Sequence, residues 1–177
     1  MNRCQIILLT IGTGLLAACA SSPRAINMPG SAPINVAAVQ QSPKPQIGKQ
    51  VRWGGRIARV TNLKTSTEVE IVSRPLSSGG RPRENDQTSG RFIAILDGFV
   101  DPDVYAKNRE ITVRGTITGL REGKIGDFTY RYPVIQAQAH ELWEKRQPIS
   151  RYEPYPWLYD PWFSPYFYST YPHHDRW

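Results

Sequence analysis

Two adjacent glycines in the middle of an alternating apolar and polar run do most to limit the fold of this chain. Val51-Arg52-Trp53-Gly54-Gly55-Arg56-Ile57-Ala58-Arg59-Val60 reads as a β-strand, and paired glycines inside a strand mark a bulge or sharp coil of the kind that closes small barrels. Thr67 to Ser73 alternates Val69 and Ile71 with Glu68 and Glu70, the period-two pattern of a half-buried strand. The turn Asn62 to Ser66 joins the two as a hairpin. Arg91 to Leu96 and Glu110 to Gly119 supply two more strands, the latter with Ile111, Val113 and Ile117 inward against Thr112, Arg114, Thr116 and Thr118. After a turn region at Gly123-Lys124-Ile125-Gly126, Phe128 to Tyr132 and Pro133 to Trp143 add a last extended segment or two.

Between these lies punctuation. Arg74 to Gly90 is polar and turn-rich, and is expected to be a mobile surface loop. Asp101 followed by Pro102 sets up a short helix through Tyr105, with the aspartate as cap and the proline at the first helical position. A weaker helical turn is expected at Val36 to Gln41, stopped by Pro43 and Pro45. The order strand, strand, strand, helix, strand, strand predicts an all-β, OB-like Greek-key barrel over residues 35–146. A small immunoglobulin-like sandwich is the runner-up, and it ordinarily needs more strands.

The N-terminus is a separate device. Arg3 precedes an apolar run from Ile6 to Leu16 that ends in Leu16-Ala17-Ala18-Cys19. A basic start, a short apolar stretch and small residues at the cut describe a secretory signal over residues 1–18, and the run is too short to span a bilayer. The ending resembles the bacterial lipobox, which implies diacylglyceryl transfer to the Cys19 thiol and cleavage before it. Two or three acyl chains make a lasting anchor where one holds only marginally. Ala20, in place of the aspartate that commonly retains such proteins at the inner membrane, implies the outer membrane. Residues 19–34 read as a lipidated tether with a reach of roughly 20 Å.

The chain has two cysteines. Cys4 leaves with the signal and Cys19 is spent on lipid, so no thiol remains for a disulfide, a metal or a nucleophile. Loss of Arg3 leaves 21 basic and 15 acidic side chains, a charge of +6. Residues 147–177 hold 11 of the 19 aromatics and six of the 15 prolines. Proline at that density forbids a continuous helix or central strand, so this segment is expected to be an extended aromatic tail.

No constellation points to catalysis or to a metal or other cofactor. His140 stands alone, and His173-His174-Asp175 has no further ligand at a useful spacing. Asp101 and Asp103 are explained by a helix start, and one histidine inside the domain cannot complete a nucleophile set. The chemistry left is basic and aromatic. Arg52, Trp53, Arg56, Arg59, Arg114, Tyr130 and Arg131 are expected to form a cationic, aromatic face for an anionic envelope glycan or lipid, such as lipopolysaccharide, with nucleic acid disfavoured by location. A solvated basic surface, with the tryptophans in barrel packing, is the competing reading.

Seven stretches lie in order behind the lipobox: Val51-Arg52-Trp53-Gly54-Gly55, Pro75-Leu76 with Gly80-Arg81-Pro82, Gly90-Arg91-Phe92-Ile93-Ala94, Gly98-Phe99-Val100-Asp101-Pro102, Thr112-Val113-Arg114-Gly115, Gly123-Lys124-Ile125-Gly126 and Tyr132-Pro133-Val134-Ile135. Together with the lipobox they resemble the Slp family of outer-membrane lipoproteins. The resemblance spans residues 1 to about 146 and leaves the aromatic tail outside. It implies a non-catalytic structural or binding component of the envelope linked to starvation and stationary phase, facing the periplasm. Only Cys19 carries over as a functional position, and no protein partner is named.

Overall fold

The computed structural model of the chain describes residues 23–28 and 34–147. The signal, Cys19, most of the tether and residues 148–177 of the tail lie outside the described residues. Five strands follow one short helix: α1 (Val36–Gln41), β1 (Gln50–Asn62), β2 (Ser66–Arg74), β3 (Arg91–Asp97), β4 (Glu110–Ile125) and β5 (Phe128–Leu142). They close into a barrel in the order β1-β2-β3-β5-β4, with β4 returning to β1. All pairings are antiparallel except β3 with β5. This is the OB arrangement, and the closed ladder excludes a sandwich.

Closure depends on the glycines. Gly54 and Gly55 pair with β2 on one side and with β4 on the other, so β1 must coil from one half of the barrel into the next. A Cβ on Gly55 would overlap the Val72 carbonyl, and one on Gly115 would overlap that of Gln136. The requirement is close backbone approach. A bulge between Ile57 and Arg59 completes the bend.

The barrel interior is one apolar cluster that includes Val51, Trp53, Ile57, Ile71, Phe92, Ile111, Val113 and Ile135, and α1 adds fully buried Val36 and Val39. These two valines lie one turn apart on one helix face. Asn35 caps the helix, its side-chain oxygen accepting from the Ala38 N–H at 2.7 Å. Gln40 donates from Nε2 to the Arg131 carbonyl at 2.8 Å. The helix therefore plugs the barrel end at which β3 and β5 begin.

Three expectations need correction. Asp101 to Tyr105 is a single turn, not a helix: Val104 and Tyr105 both donate to the Asp101 carbonyl, and the Asp101 side chain accepts from Asp103 N. Val104 is exposed, so this segment has no apolar stripe to bury, and short helices depend on such packing. The turn region near 123–126 is mostly strand, because β4 runs to Ile125 and the chain reverses at Gly126-Asp127, where Gly126 has φ +59°.

The third correction concerns the connection from 75 to 90, whose first half is a small hairpin pinned to the barrel. Leu76 bridges Pro82, and Ser77 N donates to the Arg81 carbonyl at 2.8 Å. The Gly80 carbonyl accepts from the Thr112 hydroxyl at 2.7 Å. Arg81 donates to Glu110 at 2.8 Å and to the Glu144 carbonyl at 2.6 Å, with its guanidinium over the Trp143 ring. Gly54 makes room for this, since a Cβ there would meet Leu76 Cδ2 at 2.9 Å.

Candidate functional site

The seven residues expected on one face are divided by the pleat. Trp53 points inward. It is 6 % exposed, lies edge-on to Phe92 at 5.2 Å between centroids, and donates its indole N–H to the Ile34 carbonyl at 2.6 Å. Its role is core packing and the fixing of the segment that enters α1. Tyr130 is also occupied, its hydroxyl accepting from Arg91 N at 2.7 Å. Arg131 is exposed beside α1, and Arg56 sits 3.8 Å from Glu84.

Outer β2 and β3, the surface through which OB barrels commonly bind oligomers, is filled by this chain's own ion pairs. Arg121 grips Glu68 through two hydrogen bonds of 2.7 and 2.8 Å. Glu70, 7 % exposed, receives Arg91 at 2.8 Å, Arg59 at 3.2 Å and the Tyr132 hydroxyl at 3.2 Å. Burial, then the Glu70 carboxylate, raises the Tyr132 pKa and keeps the phenol a donor. Arg59 thus leaves the expected ligand face to neutralise a buried glutamate. None of the outward residues Glu68, Glu70, Val72, Arg91, Ile93 and Ile95 is aromatic, and the two rings that reach them, Tyr130 and Tyr132, commit their hydroxyls to Arg91 N and to Glu70.

One group of basic side chains without close carboxylates lies on β1 and its neighbours. Arg52 is directly opposite Arg114 on β4, and Arg74 at the end of β2 is opposite Gly54. Among the described residues neither Arg52 nor Arg114 has a carboxylate within ion-pair distance. Arg74 has one, Asp86, at 3.9 Å and fully exposed. The Nε atoms of both Arg74 and Arg114 are buried without a hydrogen-bond partner. Arg52 and Arg74 line a cleft of about 480 Å³ with Ile34, Trp53, Pro75 and Leu76. Arg74 is absent from the face expected from sequence, where it falls at the start of the loop. A signal for it was present, because Glu68, Glu70, Val72 and Arg74 share one parity of an alternating strand.

Two further groups bear on function. The Tyr105 hydroxyl and His140 Nε2 share a hydrogen bond of 2.8 Å, and burial lowers the His140 pKa, with the Glu141 carboxylate opposing the shift. Among the described residues no three histidine, cysteine or acidic side chains converge on a metal position, and no described helix is long and apolar enough to cross a membrane. Part of the expected tether is docked instead: Arg24–Ile26 forms a 3-10 turn against β4 and β5, with the Ile26 side chain fully buried. Pro23, at the start of the docked segment, is only four positions beyond Cys19, a span of at most about 14 Å.

An OB-type barrel behind a Leu-Ala-Ala-Cys motif is the layout of an envelope lipoprotein. The model of the "Outer membrane lipoprotein Slp family" matches residues 16–172, and the chain belongs to this family. The match begins at the Leu-Ala-Ala-Cys motif and runs through most of the aromatic tail, which corrects the expectation that the tail lies outside. The chain is 36 % identical over 152 residues to the "Uncharacterized lipoprotein YeaY" of Escherichia coli K12, covering 84 % of this chain and 76 % of the relative. It is 34 % identical over 152 residues to the "Outer membrane protein Slp" of the same organism, covering 85 % and 80 %. A small single-stranded DNA-binding protein from Streptomyces coelicolor overlays with a TM-score of 0.36 at 13 % identity, over 54 % of this chain and 94 % of that one. Likeness at that level carries no functional argument.

Proposed function

We propose that the chain is a non-catalytic component of the cell envelope, held by acylated Cys19 on the periplasmic leaflet of the outer membrane, whose barrel binds an anionic glycan or lipid through the outer surface of β1, β2 and β4. One observation carries this reading. Arg52 and Arg114 oppose each other across a ladder with no carboxylate between them, and like charges directly opposite on antiparallel strands are destabilising. Elsewhere on the barrel, Arg59, Arg81, Arg91 and Arg121 each sit on a glutamate. An anion bound between Arg52 and Arg114 supplies the missing charge. The acyl anchor and the short span from Cys19 to the docked turn keep the surface among anionic envelope molecules.

Co-sedimentation of the mature chain in acyl-free form, Ala20 to Trp177, with phosphatidylglycerol-containing vesicles or purified lipopolysaccharide tests the binding, and zwitterionic vesicles serve as the control. The expected result is retention on the anionic partner that weakens as salt is raised. Equal retention on zwitterionic vesicles, or none at low salt, overturns it. Localisation is tested separately with Cys19→Ser, which is expected to abolish acyl labelling and outer-membrane recovery.

A further inference from the structure

The cleft beside Arg52 has a mixed lining. Ile34, Trp53, Pro75 and Leu76 supply apolar area, and the Trp53 N–H is already spent on the Ile34 carbonyl. Arg52 and Arg74 supply the charge, and Asn35, Ser73, Gln87, Thr88 and Ser89 the neutral polar groups. Part of the polar lining is held in place: Ser73 and Ser89 bond each other at 3.0 Å, and Thr88 accepts from Gly90 N at 3.1 Å. A volume of about 480 Å³ suits a small molecule or one end of a larger one.

Arg74 is the anchor of the site. Its side chain is only 13 % exposed, yet its nearest acid stands 3.9 Å away on a fully exposed Asp86, and its buried Nε–H has no acceptor. Leaving a buried charged donor unsatisfied costs more than most protein cores tolerate. Two guanidinium forks beside one cleft also select the chemistry of the missing anion. A carboxylate can bridge two guanidiniums, as Glu70 does between Arg91 and Arg59, but a phosphate brings a further oxygen and more negative charge to the same two forks.

We propose that this cleft binds the phosphate of an amphiphile, with Arg52 and Arg74 donating to its oxygens and Ile34, Trp53, Pro75 and Leu76 covering the carbon that adjoins it. This rests on the anionic-ligand reading and narrows it to one site and one chemistry. The phosphate belongs either to a lipid in the bilayer or to a free amphiphile.

Calorimetric titration of the mature chain with monomeric n-dodecyl phosphate tests the assignment, with inorganic phosphate and dodecanoate as comparisons. Dodecyl phosphate is expected to bind saturably, and each comparison about tenfold more weakly. Arg52→Gln and Arg74→Gln are each expected to weaken binding by about tenfold, and Arg74→Lys, which keeps the charge but loses the fork, is expected to recover little of it. Asp86→Asn removes the competing acid from an exposed position and is expected to tighten binding. Lys64→Gln, in the exposed turn between β1 and β2 and outside the cleft, is expected to leave it unchanged. Dodecanoate equal to dodecyl phosphate overturns the phosphate assignment. If Arg74→Gln does not fold, Arg52→Gln and Asp86→Asn decide, and no change in either overturns the site. Anionic vesicles separate the remaining outcomes. Cleft variants that sediment like the parent chain while losing dodecyl phosphate identify a free amphiphile as the ligand. Variants that lose neither end the cleft proposal and leave the broader basic-face reading standing.

Discussion

The Gly55 Cα position lies so close to the Val72 carbonyl that a side chain of any size there would overlap it. The contact falls where β1 passes from its ladder with β4 to its ladder with β2, so it is the point at which the barrel closes. Gly55→Val is expected to destabilise the domain by about 3 kcal/mol, the upper end of overpacking costs. Thermal unfolding of the mature chain measures this, and a melting temperature within a degree or two of the parent contradicts the closure role.

The connection between β2 and β3 has two halves of different worth. Arg81 spans buried Glu110, the Glu144 carbonyl and the Trp143 ring, so its loss strips partners from a nearly buried carboxylate. Arg81→Ala is expected to cost about 2 kcal/mol in stability, whereas Gly/Ser replacement of residues 84–88 is expected to cost a few tenths of a kcal/mol, as surface changes do. Denaturant melts of the two variants check the contrast. Equal losses would show that the hairpin is not pinned to the barrel.

That contrast also marks how much of the fold is legible in the sequence. All five strand regions are marked in the sequence, β2 and β4 by clear alternation, because a half-buried strand writes its two faces into consecutive residues, and β5 only as one extended segment or two. Bulges at Ile57/Arg59, Arg114/Gly115 and Ile117/Gly119 are not legible, since each inverts the parity of the residues after it without a distinctive side chain to announce it. Strict alternation from Arg52 and Arg56 turns Arg59 inward with Trp53 and Ile57, whereas the Ile57/Arg59 bulge brings it to the outer surface, where it serves Glu70. The Asp101-Pro102 signal is locally sound, but in the segment it opens only Tyr105 packs on the core, whereas Val36–Gln41, with a weaker signal, buries both Val36 and Val39 there. The 75–83 hairpin is hidden because its contacts, Arg81 with Glu110 and Gly80 with Thr112, join residues far apart along the chain.

His140 makes stability depend on pH. Burial holds its folded pKa below the ordinary value of 6.5, so the unfolded chain binds the proton more tightly. Stability is therefore full above the unfolded pKa, and is lost as pH falls from there through the folded pKa. His140→Gln is expected to flatten that part of the curve while losing some of the hydrogen bond with Tyr105. Melting temperatures of parent and variant between about pH 7.5 and 4.5 test it. Parallel curves throughout that range would remove His140 as the cause.

Ile26 carries the last prediction, because it converts a lipid anchor into a positional constraint. The Arg24–Ile26 turn lies on β4 and β5 with the isoleucine side chain fully buried, although the surrounding composition of proline, serine and alanine suggests a free spacer. Ile26→Ala is expected to cost about 2 kcal/mol or slightly more, the lower range for a buried isoleucine. Ile26→Asp is expected to release the segment altogether, since a carboxylate will not enter that site unpaired. Release lengthens the effective leash from the short step between Cys19 and Pro23 to the whole stretch between Cys19 and Asn35, about doubling the reach of a flexible chain. The measurement is hydrogen exchange at the amides of residues 24–28 in the lipidated protein on vesicles, with energy transfer from a label at the exposed Phe128 position to a membrane dye. Faster exchange with a longer mean distance in Ile26→Asp is the expected result. Unchanged values for both would mean that the turn does not hold the barrel to the bilayer.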